Sequence, residues 1–154
     1  MKKYKIKNLN DLENFAKKFL NYLKKEKKPE KKVNEAKIVL LNGDLGAGKT
    51  AFVKKIAKLL NIKEEVLSPT FVISKEYKIL KNDFADYGKL IHIDAYRLNT
   101  NDFKNINLNN QVKDSGNIIF IEWSDIFQKN LPKNCEVINF EYINPEERVI
   151  EFKR

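Results

Sequence analysis

Eight consecutive residues, Gly43-Asp44-Leu45-Gly46-Ala47-Gly48-Lys49-Thr50, concentrate the chemistry of this chain. They fit the pattern G-x-x-x-x-G-K-[ST] at every fixed position, and they hold three of the chain's five glycines. Glycine lets the backbone enter dihedrals in which successive N–H groups turn inward toward phosphate oxygens. Lys49 supplies a compact positive charge for terminal phosphates, and the Thr50 hydroxyl is a ligand for Mg²⁺. The window reads as a phosphate-binding loop, provided that a strand precedes it and a helix follows.

Two acids stand where such a loop needs them. Asp94 ends the apolar run Leu90-Ile91-His92-Ile93, and Glu122 ends Ile118-Ile119-Phe120-Ile121. In open α/β sheets ligands bind outside the carboxyl ends of the strands. An acid there holds Mg²⁺ directly or through water, or orients the attacking water. The alternative for each is an exposed strand-end acid or a helix cap. His92, the only histidine, shares the Asp94 face of its strand; it reads first as a structural histidine and second as a catalytic one. Arg97 either stabilises phosphate charge or ties down a loop. Trp123 is a core or ledge residue, with a stacking platform as the other reading. Ser68 and Thr70 form either a loop that senses the terminal phosphate or a capped proline turn.

The surrounding elements are those the loop requires. Lys37–Asn42 is a short apolar run without alternation, as expected of a strand buried on both faces. After the loop, Phe52, Val53, Ile56, Leu59 and Leu60 recur at helical spacing with Lys54, Lys55 and Lys58 opposite, and Asn61 is a plausible stop. The N-terminal end of that helix faces the loop, so its dipole favours an anion there. Upstream, residues 2–7 alternate as a strand. Leu12, Phe15, Ala16, Phe19, Leu20 and Leu23 mark an amphipathic helix, with Asn10 and Glu13 as its capping box. The charged stretch Lys24–Lys32 is an exposed connector. Downstream, the apolar residues of 72–80 pair with Leu90–Asp94 as an antiparallel hairpin. Residues 99–114 form one or two short helices. Residues 136–142 and 147–153 form a final pair around Asn144-Pro145.

With 154 residues, 42% hydrophobic and 11% aromatic, the chain reads as one globular domain spanning 1–154. Its apolar runs are too short for a membrane span, and Met1–Lys5 lacks the pattern of a signal peptide. The lone Cys135 excludes an intrachain disulfide, so a cytoplasmic, reducing setting is expected. The net charge of +9 invites a nucleic-acid reading. Only three of the basic residues are arginines, however, and the richness in Lys, Asn and Ile points to compositional bias and solvated surface.

Taken together, Gly43–Thr50 with the following Ala51, then Ser68-Pro69-Thr70-Phe71, then His92-Ile93-Asp94-Ala95-Tyr96-Arg97-Leu98, then Ile121-Glu122-Trp123, in this order and spacing, resemble the TsaE (YjeE) family of small bacterial ATPases. The resemblance covers roughly residues 8–150. It implies an α/β, three-layer P-loop NTPase-like fold with a mixed, mainly parallel central sheet. It implies ATP and Mg²⁺ as cofactors, held by residues 43–51. Thr50 and Glu122 would be the metal pair, and Lys49, Asp94 and Glu122 the catalytic residues. It further implies a role in threonylcarbamoyladenosine modification of tRNA, by binding and resetting a TsaD-type threonylcarbamoyl transferase and its TsaB-type paralogue, with contact to tRNA indirect or weak. Two segments depart from the family pattern. Ile106-Asn107-Leu108-Asn109-Asn110 lacks the usual glycine and acids, and the Lys24–Lys32 connector is longer and more basic.

Other uses of a phosphate loop fit less well. A small-molecule kinase needs several lid arginines, and only Arg97 lies in the central part of the chain. A GTPase needs an N-K-x-D run, which the sequence lacks. A nucleotide-gated binding module without hydrolysis is not separable from a slow ATPase at this level.

Overall fold

The computed structural model describes residues 2–26, 35–67, 73–81, 83–84, 87–98, 107–124, 131–132 and 134–152. The motif Ser68–Phe71, most of the Lys24–Lys32 connector and residues 99–106 lie outside that set. The elements in chain order are β1 (Lys2–Ile6), α1 (Leu9–Glu26), β2 (Lys37–Asn42), α2 (Lys49–Leu59), β3 (Ser74–Lys78), β4 (Lys89–Asp94), α3 (Leu108–Val112), β5 (Asn117–Glu122), β6 (Glu136–Asn144) and β7 (Glu147–Phe152).

The described strands form one seven-stranded sheet in the order β1-β7-β6-β2-β5-β4-β3. At its centre β4, β5, β2 and β6 run parallel. Antiparallel pairing is confined to the flanks, β3 on β4 and β6-β7-β1 on the other side. The sheet is thus mixed with a parallel centre, as expected. The parallel strands are buried on both faces: every residue of β5 is buried, and so are the four central residues of β2. That is why their sequences read as unbroken apolar runs.

Alternate residues divide between two cores. Val39, Leu41, Leu90, Ile118 and Phe120 face α1 and α2. Ile38, Leu40, Ile91, Ile93, Ile119 and Ile121 face the opposite layer, which contains Leu108 of α3, Leu98 and Leu131. The first core is built on aromatic rings. Phe52 of α2 lies 5.4 Å from Phe15, 5.8 Å from Phe19, 6.2 Å from Phe120 and 5.7 Å from Phe140, centroid to centroid. One side chain therefore ties α2 to α1, to β5 and to β6. Full burial of a phenylalanine contributes about 1.5–3 kcal/mol. Because Phe52 stands one turn after Lys49, the same packing sets the position of the loop Gly43–Thr50.

The start of α1 differs from the expected Asn10/Glu13 box. Asn8 is the cap: its Oδ1 accepts from the N–H groups of Asn10 and Asp11, both at 2.9 Å. Asp11 Oδ2 in turn accepts from the N–H of Lys7 at 2.9 Å. Glu13 is engaged elsewhere, pairing with Lys17 at 3.0 Å and with Lys55 of α2 at 3.2 Å. A carboxylate that bridges two helices does not also fold back to cap one. At the far end of α2, Asn61 takes the left-handed conformation (φ 56°) expected of a helix stop. No helix among the described residues is long and apolar enough to cross a membrane.

Candidate functional site

The loop between β2 and α2 begins at a close approach to β6. Gly43 has a φ of 134°, and a Cβ at that position would stand 2.1 Å from the Phe140 carbonyl oxygen of β6. No side chain fits there. Further along, Gly48 caps α2 in the left-handed conformation, with no side-chain hydrogen bond to the helix end. The N–H of Phe52 donates to the Gly48 carbonyl at 2.9 Å, so the N–H groups of Lys49, Thr50 and Ala51 are the unsatisfied donors of the first turn. Asp44, Leu45 and Gly46 form the exposed tip, and Ala47 is buried beneath it.

Lys49 is only 4% exposed. Its Nζ donates to the carbonyls of Gly43 at 2.5 Å and Asp44 at 2.8 Å. Burial pushes its ammonium below the usual lysine range, against the carboxylates of Glu122, Asp94 and Asp44, which pull it back up. The ammonium is thus poised between the loop carbonyls and the acids at the strand ends.

Asp94 and Glu122 end β4 and β5 as register partners on adjacent parallel strands. Both are buried, 7% and 3% exposed, so the reading of exposed strand-end acids does not hold. The Thr50 hydroxyl donates to Glu122 Oε1 at 2.8 Å. The same oxygen lies 2.8 Å from His92 Nε2. The N–H of Tyr96 donates to Asp94 Oδ1 at 3.0 Å, and that of Ala95 to the Glu122 carbonyl at 3.0 Å. The first bond closes a turn directly after β4, and the second ties the end of β4 to the end of β5. Arg97 stands on the exposed turn that follows β4.

Trp123 is the residue whose part in the site was least legible. Lys49 Nζ sits 4.0 Å from the centroid of its ring, a cation–π contact. Its φ of 60° is strained for a bulky side chain. It is held there by its N–H to the Leu41 carbonyl at 3.3 Å and by the Tyr96 ring at 4.9 Å. Its place directly after Glu122 was the only available signal. Lys49, Thr50, Asp94 and Glu122 therefore converge at the carboxyl ends of β2, β4 and β5. No cluster of three or more His, Cys, Asp or Glu side chains able to hold a metal occurs among the described residues. A metal here would depend on Thr50 and Glu122, a sparse set that suits an ion retaining water and phosphate ligands.

The family model described as "Threonylcarbamoyl adenosine biosynthesis protein TsaE" matches residues 6–150. The chain is 34% identical over 122 residues to a tRNA threonylcarbamoyladenosine biosynthesis protein TsaE of Aquifex aeolicus, covering 77% of this chain and 78% of that one. It is 33% identical over 141 residues to the protein of that name from Rickettsia bellii, covering 90% and 85%. Among solved structures it is similar to Bacillus subtilis YdiB, with a TM-score of 0.70 at 28% identity, covering 98% of this chain and 83% of that one. With the family model matching residues 6–150 and relatives matching over most of its length, the chain belongs to the TsaE family.

Proposed function

We propose that this protein is an ATP-binding, Mg²⁺-dependent ATPase that supports tRNA threonylcarbamoyladenosine modification. The family's role in that biosynthesis supports the pathway. The observation that carries the activity is the Thr50–Glu122 hydrogen bond of 2.8 Å. It joins the end of the phosphate loop to a buried carboxylate on the neighbouring strand, at an uncapped helix N-terminus.

The residues fit the cofactor. Gly46 and Gly48 have positive φ and open space where a Cβ would stand, so no side chain at either position narrows the loop. The N–H groups of Lys49, Thr50 and Ala51 would bind the phosphates, and Lys49 would move its ammonium from the loop carbonyls to their oxygens. Thr50 and Glu122 would hold Mg²⁺. Asp94, beside Glu122, would orient the attacking water and accept its proton. Bound Mg²⁺ would neutralise the phosphate charge that develops during transfer. Hydrolysis is slow in the isolated chain and rises with its partners, a TsaD-type transferase and a TsaB-type paralogue, which the chain binds and resets between turnovers.

The test is tRNA modification reconstituted with and without this chain. The expected result is an unchanged first turnover and loss of later turnovers when the chain is omitted. An unchanged yield over many turnovers would refute the resetting role.

A further inference from the structure

The hydrogen bonds around Glu122 assign a role to a residue outside the phosphate site. His92 is fully buried and stands one pleat below Asp94 on the same face of β4. Its register partner on β5 is Phe120, so Glu122, one pleat further along, must lean back to meet it. The 2.8 Å contact joins His92 Nε2 to Glu122 Oε1; a carboxylate in the state that ligates a metal only accepts hydrogen bonds, so in that state the ring nitrogen is the donor. Glu122 Oε1 therefore receives two bonds, from the His92 ring and from the Thr50 hydroxyl. Among the described residues no hydrogen bond reaches Oε2.

The other ring nitrogen, Nδ1, is buried and has no partner among the described residues. A position that served packing alone would be filled better by an apolar side chain, because a buried acceptor without a donor destabilises the fold. The imidazole is explained by its Nε2 contact. The two bonds on Oε1 also differ in permanence. If Thr50 turns its hydroxyl oxygen to a metal, its bond to Glu122 is lost and the His92 bond remains.

We infer that His92 is a positioning residue: its Nε2–H holds Glu122 Oε1 so that the carboxylate stays aimed at the metal when Thr50 changes partner. The inference rests on the proposed Mg²⁺–ATP site. It acts on Glu122 and not on the phosphates, so it separates metal-dependent from metal-independent binding.

The experiment measures ATP affinity by calorimetry, with Mg²⁺ and with EDTA, for wild type, His92→Leu, His92→Gln, Glu122→Gln and the double variant His92→Leu/Glu122→Gln. Thermal unfolding is followed in parallel. Outer residues that orient a ligand typically change metal affinity or activity by about 10–100-fold. His92→Leu is expected to reduce the Mg²⁺-dependent gain in affinity by about that factor, to leave binding in EDTA within about twofold, and to lower kcat more than it raises KM. His92→Gln presents an N–H donor at similar reach and is expected to restore most of the loss. In the Glu122→Gln background, His92→Leu is expected to add little, because coupled residues are non-additive. If His92→Leu does not fold, His92→Asn, which keeps a polar group but falls short of Glu122, replaces it in the same cycle.

Equal effects of His92→Leu in both backgrounds, or no rescue by His92→Gln, would overturn the inference alone. A wild type whose ATP affinity is indifferent to Mg²⁺ would overturn the inference together with the proposed function.

Discussion

The Thr50 hydroxyl and the Glu122 carboxylate, 72 residues apart in sequence, meet at 2.8 Å across the gap between the first turn of α2 and the end of β5. Their meeting follows from the packing of Phe52 against Phe120 at 6.2 Å. Each aromatic lies two residues from its polar partner, so the ring contact that seats the helix also holds the Thr50 hydroxyl near the Glu122 carboxylate.

Glu122→Ala is expected to lower Mg²⁺-dependent ATP turnover by at least about 100-fold, beyond the range for residues that only orient a ligand. Binding of ATP in EDTA should stay close to wild type, since the phosphate donors of the loop are untouched. Steady-state hydrolysis with a metal titration, beside calorimetry in EDTA, separates the two effects. Equal loss in both would place Glu122 on the phosphates and not on the metal.

Phe52→Ala removes the ring that joins α1, α2, β5 and β6. A buried phenylalanine cut to alanine typically destabilises by about 3–5 kcal/mol, and in a chain of this size that lowers Tm by roughly 6–20 °C. Calorimetric unfolding checks it. A Tm within about 2 °C of wild type would contradict the central place given to this ring.

Much of this arrangement is legible in the sequence, for stated reasons. The phosphate loop is contiguous, so its chemistry and spacing are read directly. Asp94 and Glu122 are legible because strands buried on both faces appear as apolar runs, and an acid that ends such a run sits at a defined edge. Relationships that depend on strand order are not. Nothing local says that β4 lies next to β5, so the contact of His92 with Glu122 is invisible from either residue's surroundings. The same holds for Gly43 against Phe140, which requires β6 beside β2. The cap of α1 is misread by two residues because Asn8 and Asn10 offer the same side chain. The choice falls to Asn8 once Glu13 is drawn away to Lys55. The left-handed backbone of Trp123 runs against the preference of its residue type, so no propensity argument finds it.

Two glycines of the loop are expected to respond differently to alanine. At Gly43 the added methyl would overlap the Phe140 carbonyl at 2.1 Å, whereas at Gly46 nothing lies within 4 Å. Gly46→Ala, at φ 78°, carries only the backbone strain of a left-handed residue, roughly 1–2 kcal/mol. Gly43→Ala adds the separation of β2 from β6 and should be clearly more destabilised in urea. Equal midpoints for the two variants would contradict the close approach.

Cys135 offers a test of burial by pH. Desolvation raises its thiol to about 11 from an ordinary value of 9.0, and its Sγ–H donates to the Pro132 carbonyl at 3.0 Å. At pH 8 the thiolate fraction is then on the order of 0.1%. Alkylation by iodoacetamide should be far slower than for a free thiol and should accelerate as pH rises toward 11. The sign for stability follows: the fold favours the neutral thiol, so this contribution is present below pH 9.0 and is lost through about 11. Alkylation at the rate of the unfolded chain at pH 8 would contradict it.

The central claim is that the loop ending in Lys49 and Thr50 binds the phosphates of ATP. Calorimetric titration of ATP with Mg²⁺ into wild type and Lys49→Ala tests it directly. A charge-assisted contact worth up to ~3 kcal/mol corresponds to about 100-fold in affinity. Wild type is expected to bind ATP, and Lys49→Ala, still folded by its unfolding curve, to bind it about 100-fold more weakly. A Lys49→Ala variant that binds ATP like the wild type would contradict the assignment of this loop to phosphate.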